Sequence, residues 1–440
     1  VLAFFVLTGL SLLAAAQETA TDSELPVFAP EQIRADFKFM YEGLQSANYD
    51  LYAFIEPDEL DTRYQEFSEG FDQPMTRFDA EVAFQQFVAL ADQAHTKVES
   101  DFSGYFTHLA EGGAMFPLDV AVWEGQLIVT GNASGVAEIV PGDRILAIES
   151  KEVADLLPRL VSHLSAESSE FAYVLLEMYM PLVIWLEMGR SDVSSVSIEH
   201  ANGSTGVYDL SAPPDEQEHS GDTEKPFSLE GRDARMLTDA VAYLRPGPFG
   251  NTDPDANSLD TTKYLEFIDT AFENFIQGQA EHLILDLRDN PGGSNSFSDP
   301  VIAWFADQPF RFSSDFRVRV SPQTTAANQA RLDSHPDPSN SVSRLYAEFF
   351  ASAKDGETVL FPIPKVEPRL APRFDGDIYV LVNRYSFSNA VTTAALIQDY
   401  GFGVIMGEQT VDMATTYGAM ERFTLPNTGI IVAYPKALVV

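Results

Sequence analysis

From about residue 227 onward, apolar strand-like runs alternate with amphipathic helical patterns, and this alternation constrains the fold of the 440-residue chain more than any other feature. The strand-like runs are AVAYLRPG, HLILDL, residues 377–383 and FGVIMG, and the helical patterns are TTKYLEFIDTAFENFI, the stretch through PVIAWFA and residues 389–400. Such alternation is typical of a parallel or mixed sheet with helical cover. We therefore expect an α/β (α+β) multi-domain protein.

Upstream of this region the periodicity changes twice, which divides the chain. From about 29 to 95, apolar residues recur at helical spacing, and Pro30 and Thr76 stand where two helices would begin. From about 115 to 210 the spacing shortens toward two, as in strands. The predicted division is a signal peptide at 1–16, a helical N-terminal domain at 17–112, a strand-rich domain at 113–210, an acidic linker at 211–226 and the alternating core at 227–440.

The N-terminal segment VLAFFVLTGLSLLAAA is apolar and ends in three alanines, the last of them Ala16. This length is short for a membrane span but suits the core of a secretory signal, with cleavage after Ala16. A retained membrane anchor is the alternative. We expect the mature protein to be periplasmic or extracellular, without stable membrane insertion.

The charge and cysteine content exclude several classes of function. The chain has 66 acidic and 27 basic residues and a formal net charge of −39, which would repel nucleic acid. An acidic coat of this kind is common in secreted proteins, and selection of cationic substrates is the alternative. Cysteine is absent, which excludes disulfides, thiol nucleophiles and cysteine-ligated metals.

Two polar loops, RDNPGG and RYSFSN, each follow a predicted strand of the alternating core. The carboxyl ends of neighbouring parallel strands share one edge of a sheet, so these loops are expected to face each other across a crevice. Gly292 and Gly293 allow close backbone approach, and N–H groups there or at the start of the next helix could hold an oxyanion. A simple tight turn is the alternative.

Ser388 lies where the second loop enters a predicted helix. A serine at this position is usually a helix cap. A nucleophile also benefits from the position, because the next N–H and the helix dipole stabilise negative charge. The elbow motif G-x-S-x-G is absent, which disfavours an α/β-hydrolase esterase.

A serine nucleophile also needs a base, and the chain has seven histidines. Those in the linker, the middle domain, a polar segment and the amino end of a strand are set aside. His95 and His108 remain as candidate bases.

The segments LILDLRDNPGG and YVLVNRYSFSNAVTTAALIQDYGFGVIMGEQT resemble the serine peptidase family of C-terminal-processing (tail-specific) peptidases, which includes the tricorn core protease and the repeats of interphotoreceptor retinoid-binding protein. The shared motifs are D-L-R-x-N-x-G-G, an S-x-S segment followed by Q-D-Y-G, and G-E-x-T. The resemblance covers the order of elements from about residue 30 to the end. It implies a ClpP/crotonase-like catalytic core with a mixed sheet, preceded by a PDZ-like domain at 113–210.

The resemblance also assigns catalytic roles. The nucleophile of the processing peptidases matches Ser388, with Ser386 as the fallback. Their lysine base stands 25 residues further on, where this chain has Met413, so a lysine dyad is excluded. The tricorn branch instead takes a histidine from a D-G-H-T segment. Residues 92–96, DQAHT, match that segment loosely and imply His95 as the base.

The implied oxyanion hole combines the N–H group of Asn389 with that of Gly292 or Gly293. The acidic residue that orients the histidine in the tricorn branch is expected beyond Val440, with Glu421 as a weak substitute. Neither a metal nor an organic cofactor is implied.

The sequence therefore predicts an exported serine peptidase that hydrolyses protein or peptide substrates through Ser388 and His95. The alternatives are a non-catalytic binding module for peptide or lipid on the same scaffold, and a hydrolase of small esters.

Overall fold

The structure is a computed structural model that describes residues 26–100, 102–210, 231–252, 260–334 and 341–440. The predicted signal peptide at 1–16 and the predicted linker at 211–226 lie outside these residues. The chain forms two compact units. Within the described ranges, the N-terminal unit comprises the residues up to 210 and Met420–Tyr434, and the C-terminal unit comprises the residues from 231 to 419 and Pro435–Val440.

The elements of the N-terminal unit follow the predicted order of helices, strands and helices. Its helices are α1 (Pro30–Ala47), α2 (Pro57–Gly70), α3 (Arg77–Ala89), α4 (Ser103–Ala110), α5 (Val153–Val161) and α6 (Ser169–Glu187). Its strands are β1 (Val27–Phe28), β2 (Met75–Thr76), β3 (Lys97–Glu99), β4 (Leu118–Trp123), β5 (Gln126–Asn132), β6 (Arg144–Ile148), β7 (Lys151–Glu152), β8 (Ser195–Glu199) and β9 (Thr205–Asp209).

The first helices form where local signals predict them. Pro30 occupies the first turn of α1, where its missing N–H costs nothing. Thr76 caps α3, and its hydroxyl accepts the N–H of Asp79 at 3.1 Å. Apolar residues along one face of α1 are fully buried, and the ring of Phe37 packs edge-on against Phe87 at 4.8 Å between centroids.

A distant segment completes this helical core. Residues 420–434, which the sequence assigned to the C-terminal core, belong to the N-terminal unit. Asp36 in α1 is fully buried. Its carboxylate accepts the backbone N–H and side-chain amide of Asn427 at 3.0 and 2.8 Å and the N–H and hydroxyl of Thr428 at 2.7 and 2.6 Å. Four donors satisfy a charge that would otherwise be costly to bury.

The strand-rich middle region is an antiparallel sheet in the order β4-β5-β6-β8-β9, with β7 paired to β6. The sheet confirms the predicted change of periodicity, and the PDZ-like identity of this region stays a prediction.

Helix α6 is long and apolar enough, by length and composition, to cross a membrane. It packs on β4, and its Glu177 carboxylate accepts the N–H of Val122 at 2.6 Å. More than half of the helix is buried, so core packing accounts for its apolar composition.

The C-terminal unit contains the predicted alternation of strands and helices. Its helices are α7 (Thr262–Gln277), α8 (Asn295–Ala303), α9 (Pro322–Ser334), α10 (Ser341–Ser352) and α11 (Asn389–Asp399). The strands that follow β9 are β10 (Asp233–Met236), β11 (Val241–Arg245), β12 (His282–Asp286), β13 (Phe316–Arg319), β14 (Thr358–Leu360), β15 (Asp377–Val382), β16 (Val404–Gly407), β17 (Thr416–Thr424) and β18 (Ile431–Val439), and the last two extend into both units.

A mixed five-stranded sheet in the order β10-β11-β12-β15-β16 forms the centre of this unit. β10 is antiparallel to its neighbour, and the other four strands are parallel. Helical cover is provided in part by α7, whose Phe272 stacks on Trp304 at 5.1 Å between ring centroids. This arrangement confirms the predicted α/β multi-domain class. Because β12 and β15 are direct parallel neighbours, the loops that follow them lie at the same edge of the sheet.

Candidate active site

The loop after β12 is held by an ion pair between the buried Asp286 and the exposed Arg288. Asp286 is 1 % exposed, and its carboxylate accepts the Arg288 guanidinium at 2.9 and 2.7 Å and the Tyr243 hydroxyl at 2.8 Å. Burial alone would raise the pKa of Asp286, but these hydrogen bonds hold the pKa below its ordinary value. The D-L-R part of the motif therefore has a structural role.

Asn290 ties three backbone segments together at the sheet edge. Its amide donates to the carbonyl of Gly247 at 2.7 Å, and its side-chain oxygen accepts the N–H of Gly292 at 2.9 Å. Its backbone carbonyl accepts the N–H of Phe387 at 2.9 Å, which joins the glycine loop to the serine loop.

Two hydrogen bonds between Asp289 and Asn383 also join these loops. Asp289 donates its N–H to the Asn383 side-chain oxygen at 3.1 Å and accepts the Asn383 amide at 2.8 Å.

Ser386, the fallback nucleophile, is fully buried. Its hydroxyl donates to the carbonyl of Leu287 at 2.8 Å and accepts the N–H of Asn383 at 3.1 Å. These bonds join the ends of β12 and β15. The first serine of the S-x-S segment is thus engaged in holding the loop.

Ser388 is half-buried at the start of α11 and has a strained backbone. Its φ of 52° and ψ of −123° lie in a region that non-glycine residues rarely adopt, at a cost of about 1–3 kcal/mol. Strain of this kind is typical of a nucleophile on a sharp strand-to-helix turn. The Ser388 side chain makes no capping hydrogen bond to the helix, so the usual structural role of a serine at this position does not apply.

Gly292 and Gly293 are packed so closely that a side chain would not fit. A Cβ atom on Gly292 would lie 2.6 Å from the nitrogen of Asn389 and 2.6 Å from the carbonyl oxygen of Phe387. On Gly293 it would lie 2.1 Å from the carbonyl oxygen of Phe249. Gly292 is therefore in backbone contact with the segment that carries Ser388.

We expect Gly292→Ala to disturb the serine turn. The added methyl group would overlap backbone atoms and would also sit at a φ of +81°, so the free energy of unfolding should fall by about 2–4 kcal/mol. Peptidase turnover should fall by about 10²-fold, because small displacements of reacting groups are costly. Urea unfolding and peptide hydrolysis measure the two effects.

Gly356 supplies a matched control. Its φ is +84°, but nothing lies within 4 Å of a Cβ built there. Gly356→Ala should therefore cost only about 1–2 kcal/mol for its backbone conformation and leave turnover unchanged. Equal effects of the two substitutions would contradict the close-packing argument.

The N–H groups proposed for an oxyanion hole differ in their availability. The N–H of Gly292 donates to Asn290, as described above. Among the residues that the structure describes, the N–H groups of Gly293 and Asn389 have no hydrogen-bond acceptor. The pair from Asn389 and Gly293 is therefore better placed to bind a substrate oxygen than one that uses Gly292.

Asp412 lies against the nucleophile candidate and was missed by sequence reasoning. Its carboxylate accepts the backbone N–H of Ser388 at 2.6 Å and that of Met413 at 2.8 Å, and its side chain is 6 % exposed. Burial raises the pKa of Asp412 to about 6, although the two N–H groups act in the opposite direction. Met413, at the position of the family's lysine, is 58 % exposed.

A cavity of about 470 Å³ opens beside Asp412. One wall is the face of α11 that carries Val391, Ala394 and Gln398, and the opposite wall is formed by β16 and residues 408–414. The size falls in the range of small-ligand pockets.

A second buried carboxylate lies on α8. The Asn389 amide donates to the Ser298 hydroxyl at 2.9 Å, and the adjacent Asp299 is 7 % exposed. Burial raises the pKa of Asp299 to about 6, and only the Asn295 amide, at 2.9 Å, acts in the opposite direction. The folded state therefore binds the Asp299 proton more tightly than the unfolded chain does. This difference stabilises the folded state at pH values below the unfolded pKa, near 4, and the stabilisation is lost as the pH rises through 6.

We expect Asp299→Asn to remove this pH dependence. A carboxyl pKa of about 6 in the folded protein and about 4 in the unfolded chain corresponds to about 3 kcal/mol, so the free energy of unfolding of the variant relative to the wild type should rise by about 2–3 kcal/mol between pH 4 and pH 8. Urea unfolding across this range measures the difference. Asp307→Asn, at an exposed carboxylate, is the control. A relative stability of Asp299→Asn that stays constant with pH would contradict the prediction.

His95 lies in the N-terminal unit, in the turn between α3 and β3, and is 7 % exposed. Its neighbours Gln93 and Thr96 are fully buried, and both accept the side-chain amide of Asn48, at 3.0 and 2.8 Å. Burial and the charge of Lys97 lower the pKa of His95 to about 3. The imidazole is therefore neutral at pH 7, which is the form that can accept a proton.

The other described histidines have carboxylate partners. In the N-terminal unit, His108 lies 2.8 Å from Asp192, and His200 lies 2.9 Å from Asp143. His282 begins β12, at the end of the strand opposite the glycine loop, as predicted.

Residues 241–439 match the model of peptidase family S41. Among solved structures, the chain is similar to mature CPAF complexed with lactacystin, with 15 % identity, coverage of 93 % of this chain and 90 % of that chain, and a TM-score of 0.63. A second structure of mature CPAF gives 16 % identity, 93 % and 89 % coverage, and a TM-score of 0.60. A search of curated proteins found no match.

At these identities the structural likeness establishes a shared fold alone. The range matched by the family model contains both glycines, Ser388 and Asp412. The predicted resemblance is confirmed at the level of the family, whereas the branch and the histidine base stay predictions. Over residues 241–439 the chain is similar to peptidase family S41, and this similarity supports a serine peptidase domain there.

Proposed function

We propose that the protein is an exported serine peptidase of the tail-specific or tricorn-like type that cleaves protein or peptide substrates. Ser388 is the nucleophile, and His95 is its base. The observation that carries the proposal is the backbone of Ser388. This backbone is strained at a strand-to-helix turn, and the Ser388 side chain makes no capping hydrogen bond to the helix. The turn also packs against Gly292, where a side chain would not fit.

In the first step, the Ser388 hydroxyl gives its proton to the His95 imidazole while its oxygen bonds to the carbonyl carbon of the substrate. The carbonyl oxygen becomes an oxyanion, which the N–H groups of Asn389 and Gly293 stabilise by about 3 kcal/mol per donor. The C–N bond then breaks, and the imidazolium returns its proton to the leaving amine. Water hydrolyses the acyl-enzyme by the same steps and frees Ser388.

The assignment of His95 is supported by its place in a segment similar to the histidine motif of the tricorn branch. Hydrogen bonds from Asn48 to Gln93 and Thr96, on either side of His95, fix the position of this turn. Export is supported by the apolar N-terminal segment that ends in three alanines.

A fluorophosphonate probe tests the proposal on the wild-type protein. We expect one label per chain, mapped by peptide mass spectrometry to Ser388, and hydrolysis of unfolded casein that the probe abolishes. A label on Ser386 would transfer the nucleophile to the fallback residue. Hydrolysis of small acyl esters without casein cleavage would indicate an esterase. Neither labelling nor hydrolysis, with the protein folded, would indicate a binding module and overturn the proposal.

A further inference from the structure

We propose that the cavity beside Asp412 binds the substrate side chain on the acyl side of the scissile bond, and that Asp412 makes this subsite select lysine or arginine. The inference rests on the proposed function, since a subsite on the acyl side has meaning only if Ser388 attacks a peptide bond.

The cavity adjoins the reacting centre through two contacts. Asp412 lines the cavity, and its carboxylate holds the Ser388 N–H at 2.6 Å. Val391 also lines the cavity, and its N–H donates to the Ser388 carbonyl at 2.9 Å. A substrate carbonyl at Ser388 would therefore present its neighbouring side chain within reach of this cavity.

The charge inside the cavity is negative. Asp412 and Glu408 are its ionisable lining residues, and neither lysine, arginine nor histidine lines it. Among the described residues, no cationic side chain pairs with Asp412 within 4 Å. Each Asp412 oxygen accepts one N–H, and a carboxylate offers about four lone-pair sites, so acceptor capacity remains for an incoming cation.

A buried carboxylate without a countercharge is costly, which agrees with the raised pKa of Asp412. The group is still mainly ionised at pH 7. A lysine or arginine side chain would supply the missing charge, in the way that a carboxylate in the trypsin subsite selects basic residues. It would also neutralise a negative charge close to the forming oxyanion, which favours catalysis on basic substrates.

The walls of the cavity suit the apolar stem of such a side chain. Val391, Ala394 and Ile405 present aliphatic surface, and the small alanine leaves room for a long side chain. The net charge of −39 further favours encounter with cationic substrates.

Matched peptides test the selection. They differ only on the acyl side of the scissile bond, with lysine, arginine, uncharged norleucine or glutamate. For the wild type we expect kcat/KM for lysine to exceed that for norleucine by at least about 10-fold, and glutamate to be the poorest. In Asp412→Asn the lysine-to-norleucine ratio should fall to about 1. The ratio is the readout, because this substitution also affects the Ser388 turn and hence the rate on every peptide.

Asp399→Asn is the matched control, because it removes one negative charge from an exposed position at the end of α11 that does not line the cavity. Its lysine-to-norleucine ratio should stay within about 3-fold of the wild-type ratio. A wild-type ratio near or below 1, or an unchanged ratio in Asp412→Asn, would overturn the inference while leaving the peptidase proposal intact.

A binding measurement keeps the two proposals separable if no peptide is cleaved. Agmatine reproduces the arginine side chain, and its titration by calorimetry should show binding to the wild type that weakens at least about 5-fold in Asp412→Asn. Equal affinity for both proteins, or no binding to the wild type, would refute selection by Asp412, whatever the outcome with the fluorophosphonate.

Discussion

Replacing Ser388 with alanine is expected to abolish fluorophosphonate labelling and to lower peptide turnover by about 10⁶-fold, the loss that removal of a serine nucleophile causes in other serine peptidases. The physical reason is the loss of the hydroxyl oxygen that attacks the probe and the substrate. The hydroxyl of Ser386 is fully buried and bonded to Leu287 and Asn383. Labelling and casein hydrolysis of the purified variant measure the effect, and circular dichroism checks that it is folded.

Two further serine variants make this result specific. Ser296→Ala removes an exposed hydroxyl on the neighbouring helix α8 and should leave labelling unchanged. Ser386→Ala should keep the label but lower the free energy of unfolding by about 1–2 kcal/mol, because two buried hydrogen bonds are lost. A label that persists in Ser388→Ala and disappears in Ser386→Ala would reverse the two roles.

The second large effect is expected for His95→Ala, whose kcat/KM should fall by about 10⁴-fold or more while the protein stays folded. Without a base, the serine hydroxyl cannot lose its proton as it attacks. The turn should persist, since Asn48 holds Gln93 and Thr96 through their side chains. Steady-state kinetics and thermal unfolding measure the two properties.

His108→Ala is the control, because His108 is a histidine of the same unit that already has a carboxylate partner. The His108→Ala variant should keep the peptide turnover of the wild type. Added imidazole should restore part of the activity of His95→Ala, which a merely structural role would not produce. The double variant with Ser388→Ala should be no slower than Ser388→Ala alone, because residues that act as a unit are not additive. Turnover of His95→Ala equal to that of the wild type would exclude His95 as the base.

Much of the fold follows from local signals. Pro30 and Thr76 were predicted to begin helices, and both do so, because capping and proline effects depend only on adjacent residues. The adjacency of β12 and β15 was a conditional expectation from their matching strand-to-helix loops. The structure establishes that adjacency, with Leu285 opposite Val380.

Asp412 could not be found in this way. It stands in a loop without periodicity, and its carboxylate acquires a role only through contact with a residue 24 positions earlier. One signal was present, since Asp412 precedes the position at which processing peptidases carry their lysine. The bonds of Asp36 to Asn427 and Thr428 were equally hidden, because they join residues almost 400 positions apart.

The amino-acid sequence alone establishes the alternating core, the order of its elements and the motifs that place the chain near the serine peptidases, because periodicity and short motifs act over a few residues. The tertiary structure decides that Ser388 is strained at the turn and that Ser386 is buried and hydrogen-bonded to the loop, and it places the Asp412 carboxylate on the N–H of Ser388. These properties depend on burial and on backbone contacts between distant segments, and neither is encoded in any short stretch of the chain.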